Sequence, residues 1–232
     1  MPRVLISKTS LSQTVDAINA AHFDGRTLAA AERGDAARWI AARQGLPGAY
    51  GGTFAGFASE RSKGIVLFTG ERIASASARH ILGEEASRAL RLLDVPDSGI
   101  ARTLAAADEG LLQRFARAAE DPRKDNPGLY CCGKCSVGLW RNLLAGGLTR
   151  REERLQRGAV HLRSVRDKEH GWRKFPFWYT VLALSGMNSS EANGELKYAA
   201  PALERIAGRE RSATIYAQRR QALAARALNS IA

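Results

Sequence analysis

Cysteine, proline and methionine are scarce in this chain of 232 residues, at three, seven and two, and aromatics make up only 7%. The three cysteines, Cys131, Cys132 and Cys135, lie together. An odd and local set makes no disulfide framework and reads as free thiols or metal ligands in a reducing compartment. No run of about 18 apolar residues occurs, which excludes a membrane-spanning helix. The opening Met1-Pro2-Arg3-Val4-Leu5-Ile6-Ser7 has too short an apolar run for a signal peptide, so a cytoplasmic location is expected. Acidic residues are the other shortage. Against 35 Lys and Arg there are 23 Asp and Glu, a net charge of +12. That balance points to a polyanionic partner such as nucleic acid, a phosphorylated ligand or an anionic surface. The positive charge is spread along the chain, and the abundance of arginine and alanine would also follow from a GC-rich coding sequence.

Helical patterns dominate what is present. Residues 10–22 and 33–44 are alanine-rich with apolar residues at helical spacing. Over 74–93, Ala74, Ala78, Ile81, Leu82, Ala86, Ala89, Leu90 and Leu93 share one face while Arg79, Glu84, Arg88 and Arg91 point elsewhere. Pro96 and Gly99 end that segment, and a helix over 99–119 follows. Thr149 and Glu152 form a capping box for a helix to about 166. Helices are expected over 176–187 and 190–207, the second interrupted near Pro201. A basic C-terminal helix spans 209–232, with Ile215, Leu223 and Leu228 available for docking. Only 64–69 looks strand-like. The Gly-rich loop at 45–64 is long for a compact domain, and no Gly-Lys-Ser/Thr follows that would make it a phosphate loop. The whole reads as one all-α helical-repeat domain over 1–232.

A degenerate repeat runs through it. Its first copy is Arg33-Gly34, Trp39-Ile40, Gln44, Gly48-Ala49-Tyr50; its second is Arg114-Phe115-Ala116, Glu120, Gly128-Leu129-Tyr130. The third is Arg157-Gly158, His161-Leu162, Arg166, Gly171-Trp172. The closing aromatics are 80 and 42 residues apart, and a step of about 40 suits a helical hairpin. In each copy the first aromatic position packs a helix, the polar residue caps it or bridges to the next, and glycine permits a left-handed turn.

This pattern resembles the repeat of the α/α-toroid superfamily, which includes triterpene cyclases and protein prenyltransferases. Trp178-Tyr179-Thr180-Val181-Leu182-Ala183-Leu184-Ser185-Gly186-Met187 is similar to a prenyltransferase segment. The resemblance covers 33–50 and 114–187 and implies a curved array of helical hairpins, closed or as an incomplete ring. It carries the fold, not the reaction. The Asp-x-Asp-Asp acid of proton-initiated cyclases is absent. Where prenyltransferases hold zinc with Asp, Cys and His, this chain has Gly133, Cys135 and Tyr179.

The sharpest local feature is Tyr130-Cys131-Cys132-Gly133-Lys134-Cys135. Cys132-x-x-Cys135 is a metal or redox spacing that supplies half a zinc site, which His80, His161 or His170 would complete. A helix starting near 134 and Lys134 itself would favour thiolate, while small cysteines also pack tight helix junctions. Residues 171–179 hold Trp172, Phe175, Phe177, Trp178 and Tyr179, which can line a cavity or fill a core. His80 and Glu84 are four apart on a helix and can form an acid–base pair. Arg123 and Lys124 precede the cysteines and suit a phosphate.

These readings combine into an anionic or amphipathic small-molecule ligand bound in a concave face floored by Cys131, Cys132, Cys135 and the 172–179 aromatics. Tyr130, Trp172, Phe175, Trp178, Tyr179, Arg123 and Lys124 would contact it. Any chemistry would fall to Cys132, Cys135 and His80, with zinc as the metal that Cys131, Cys132 and Cys135 would suit. The alternatives are a nucleic-acid-binding helical repeat with a basic concave face and a protein-interaction scaffold.

Overall fold

A computed structural model describes residues 5–119, 127–208 and 214–231. It is mostly helical. Ten helices appear among the described residues: α1 (Leu11–Phe23), α2 (Ala30–Ala41), α3 (Ala58–Lys63), α4 (Ser77–Leu93), α5 (Ser98–Ala119), α6 (Gly133–Leu144), α7 (Arg151–Ser164), α8 (Phe177–Leu184), α9 (Ser190–Ala207) and α10 (Ile215–Ile231). The strand-like stretch forms a short antiparallel hairpin, β1 (Ile65–Val66) on β2 (Arg72–Ile73), with Ile65 opposite Ile73. No helix among the described residues is long and apolar enough to cross a membrane.

Sequence dictates the ends of these elements. Ser10 caps α1 by accepting from the Gln13 N–H at 3.1 Å. Glu60 of α3 reaches across to the same end, accepting from Ser10 Oγ at 2.8 Å and Ser12 N–H at 2.7 Å, and also from Phe57 N–H at 2.7 Å. Burial pushes its carboxyl up, but these donors win and hold it below the ordinary value. The 45–64 loop is therefore built rather than loose. It contains α3, a Gln44–Phe54 bridge, and bonds from Arg43 Nε to Ala55 O at 2.6 Å and Arg61 to Gly56 O at 2.7 Å.

Two helix expectations need correction. α7 is not opened by a Thr149 capping box: it starts at Arg151 after Arg150, whose φ of 56° is left-handed and whose guanidinium grips Glu153 at 2.6 and 2.7 Å. Pro201 does not interrupt α9, which runs from Ser190 to Ala207 because Leu196, Ala199 and Leu203 are buried around the missing backbone donor.

The motif residues of the repeat fall on several elements, apart from Glu120 of the second copy, which lies outside the described residues. The basic-to-apolar segments fall on α2, α5 and α7. Gln44 and Arg166, the polar positions, each begin a bridged loop, Gln44 with Phe54 and Arg166 with Trp172. Arg166 also reaches α9, bonding Glu195 at 2.8 Å. Gly158 of the third copy lies where a Cβ would come within 2.5 Å of the Trp140 indole, so α6 and α7 meet at a distance only glycine permits.

One hydrophobic cluster extends from Leu5 through Ala227 and includes Trp140 and Tyr179, both 0–1% exposed. α4 packs between α1, α2 and α6; α6 meets α8; α8 meets α10. α10 closes onto α1 through Arg219, which is paired with Asp16 at 2.7 Å, and Arg226, which donates to Phe23 O at 2.7 Å. Leu223 and Leu228 of α10 face the core while Ile215 is exposed. Residues 209–213 and 232 of the expected basic helix lie outside the described residues.

Candidate functional site

α4 and α6 are parallel and in register: His80 lies beside Cys135, Glu85 beside Arg141 and Glu84 beside Asn142. The cysteines, the buried Glu84 and Glu85, and one wall of the larger cavity lie along this pair.

At the starting end are the cysteines. The loop that carries them is seated by Trp140, whose indole N–H donates to Gly128 O at 2.7 Å, and by Arg154, which donates to Pro127 O at 3.1 Å. Tyr130 N–H donates to Ser136 Oγ at 2.9 Å, and that hydroxyl donates to Cys132 O at 2.9 Å, fixing the entry to α6. Cys132 is the N-cap and Cys135 sits in the first turn, buried; Cys131 and Cys132 are exposed. Of the histidines weighed as a completing ligand, His80 is the one that arrives. Its Nδ1 is 3.2 Å from Cys131 Sγ and 3.3 Å from Cys135 Sγ. Cys132 Sγ is 3.6 Å from Cys135 Sγ and 3.5 Å from Ser77 Oγ. His161 lies near the Phe175 ring and His170 bonds Tyr198 O, both elsewhere.

Within the cluster, hydrogen bonds from the Cys131 and Cys135 thiols hold Cys132 well below the ordinary thiol range. The bond to Cys132 pushes Cys131 up to about 11, and the bonds to both neighbours push Cys135 up as well. Burial lowers His80, and Arg79 and Arg114 lower it further, keeping the imidazole neutral and able to act as a ligand. Tyr50 packs on His80 with ring centroids 3.6 Å apart and planes tilted by 35°, and Tyr130 follows at 5.6 Å.

Glu84 does not partner His80. Contrary to the outward face expected for it, Glu84 is fully buried and accepts from Asn142 Nδ2 at 2.6 Å, with its other oxygen unbonded among the described residues. Burial lifts its carboxyl to about 8. Glu85 beside it stays ionised. Burial opposes this, but Arg141 outweighs it and holds Glu85 at about 2. Glu85 accepts from Arg141, from Tyr179 Oη at 2.6 Å and from Asn19 Nδ2 at 3.0 Å. Asn19 Oδ1 in turn accepts from Arg88 and, at 3.3 Å, from Arg141.

At the far end is a cavity of about 420 Å³. α1, α4, α6, α8 and α10 each present their C-terminal half to it. Phe23, Phe68, Leu92, Leu144, Leu182 and Leu223 make its apolar wall, and Arg88, Arg141, Arg226, Asn19 and His22 its polar part. Burial lowers Arg88 to about 10, with Arg141 adding to the effect, and burial likewise keeps His22 low.

The aromatics named from sequence lie elsewhere. Trp172 is buried with its indole on Glu195 at 2.8 Å, and Tyr179 is buried on Glu85. Phe175 stacks on Trp140 at 5.7 Å, and Trp178 meets Phe177 and Arg220. Tyr130 borders the cysteines, and Phe175 comes against Gly133 between them. Arg123 and Lys124 lie outside the described residues. Sequence reasoning missed Arg88, Arg141, Arg226 and Asn19; the available signal was polar residues recurring on otherwise apolar helix faces. No protein-family model, curated protein or solved structure matches the chain.

Proposed function

We propose that the protein binds an amphipathic anion, a carboxylate or phosphate head on an apolar body, in the cavity enclosed by α1, α4, α6, α8 and α10. The observation that carries this is Arg88. Among the described residues its guanidinium has one acceptor, Asn19 Oδ1, which leaves N–H donors in excess on a residue that lines the cavity. Arg88, Arg141 and Arg226 bring three positive charges to a site where Glu85 is the one ionised carboxylate bonded to the arginines, since burial keeps Glu84 protonated. Helix carbonyl ends add negative potential here. Arg226 answers that of α1 through Phe23 O, whereas Arg88 and Arg141 bond only side chains. A guanidinium left with free donors in an apolar-walled cavity suits a planar carboxylate or a phosphate.

A toroid-like arrangement of hairpins belongs to this reading, and five helices sharing one cavity with α2, α5, α7 and α9 packed outside them support it. The binding site moves accordingly from the cysteine-and-aromatic floor to the opposite end of α4 and α6.

Calorimetric titration with dodecyl phosphate and dodecanoate, with dodecanol as an uncharged competitor, tests the proposal. Either charged probe is expected to bind, with affinity falling at least tenfold in Arg88→Met and in the cavity-filling Leu182→Trp. Equal competition by dodecanol, or no binding of either anion to the folded protein, overturns it.

A further inference from the structure

The three thiols and His80 remain without a role in that cavity. Their arrangement is that of a ligand set. His80 Nδ1, Cys131 Sγ and Cys135 Sγ all lie within 4.8 Å of one another. A tetrahedral zinc with Zn–S of about 2.3 Å and Zn–N of about 2.0–2.1 Å spaces its donors by about 3.5–3.8 Å. The separations of His80 Nδ1 from Cys131 Sγ and Cys135 Sγ, 3.2 and 3.3 Å, fall just short of that spacing, and that of Cys132 Sγ from Cys135 Sγ, 3.6 Å, falls within it. Cys132 is outside the tight group of three, but it is exposed at the helix start with its Sγ 3.6 Å from that of Cys135, so a change of side-chain rotamer is all that its entry as fourth ligand requires.

We propose that His80 Nδ1 and the thiolates of Cys131, Cys132 and Cys135 hold one zinc ion in a closed tetrahedral site that fastens the start of α4 to the start of α6. On binding, the thiols that still carry a proton, Cys131 and Cys135, give it to solvent, and Cys132 enters as thiolate. The spacing decides against an iron–sulfur cluster: thiolates that serve several irons must stand apart, whereas these donors fit around a single ion. Soft sulfur with one imidazole selects zinc over magnesium or calcium. Three thiolates, a neutral imidazole and Zn²⁺ leave one net negative charge, and Arg79, Arg114 and Lys134 are the cations around it. Tyr50 meets His80 at a tilt of 35°, and Tyr130 borders the same imidazole with Phe115 at 4.9 Å from it, an aromatic wall beside the ligands. A closed site of this kind is structural, so the zinc would clamp rather than catalyse.

The test is elemental analysis of untagged protein purified under reducing conditions, paired with absorption spectra after cobalt(II) substitution. The expected result is about one zinc per chain and intense thiolate-to-cobalt bands with tetrahedral d–d absorption. His80→Ala, Cys131→Ser and Cys135→Ser should abolish these, Cys132→Ser should weaken cobalt affinity at least tenfold, and His161→Ala and His170→Ala should change nothing. Folded, reduced wild-type protein that carries no zinc and gives no cobalt bands overturns the proposal. So does undiminished metal in His80→Ala, and undiminished affinity in Cys132→Ser overturns the four-ligand assignment. None of these results depends on the cavity, which the amphiphile titrations probe separately.

Discussion

The two ends of the α4–α6 pair treat buried polar groups in opposite ways. At the starting end, the backbone of the cysteine loop is well seated, but the sulfur atoms and His80 Nδ1 contact only one another and Ser77, all weak partners. Further along, Glu85, Arg141, Tyr179 and Asn19 satisfy one another with charge-assisted bonds and need nothing from outside. Arg88 lies at the edge of that network, with one acceptor among the described residues and N–H donors in excess beside the cavity. Where a polar network is complete it is scaffold; where it stops short, it marks a site.

The contrast is broken most severely by Arg141→Met. Glu85 would remain buried and ionised with its main counter-charge gone, so a loss of about 3–5 kcal/mol is expected in urea unfolding. Adding Glu85→Gln should return much of it; a single variant as stable as wild type would contradict the network. Gly158→Ala tests the other end through its foundation. The new methyl would drive into Trp140 and disturb the indole that seats the cysteine loop. A cost of about 1–3 kcal/mol is expected, together with faster labelling of the cysteines by a thiol reagent and little change at the cavity.

The smallest and most diagnostic change is Glu84→Gln, between the two ends. Glu84 titrates at about 8 in the fold, well above its ordinary value. Its contribution to stability is therefore complete below the unfolded-state value and is lost as pH rises toward 8. The glutamine variant should lie closest to wild type near pH 5 and gain on it steadily as pH rises toward 8. Parallel pH profiles of the melting temperature would refute this.

Much of the fold was legible because helices announce themselves by spacing: α1, α4, α5, α9 and the cysteine helix α6 lie close to where the pattern put them. The cysteines were visible as a cluster, and His80 as one of several histidines, but which histidine met them depends on the pairing of α4 with α6 across about fifty residues, which periodicity does not encode. Glu84 and Arg88 were assigned to the outer face because charge usually marks solvent. Their burial follows from partners, Asn142 and Asn19, that lie on other helices. For the aromatics near 172–179, which spacing leaves open between lining and core, Trp172 and Tyr179 are buried in the core while Phe175, Phe177 and Trp178 are half-buried against it.

Many of the arginines that make the chain basic are fasteners. Arg43, Arg61, Arg72, Arg154, Arg220 and Arg226 each donate to a main-chain carbonyl of a loop or helix end. Lysine cannot reproduce the forked, planar reach of such bonds. An isoelectric point near 10 is thus partly an internal affair. Exchanging these arginines for lysine would leave the charge of the molecule untouched while loosening its loops one by one, so electrophoretic mobility and melting temperature would part company along such a series.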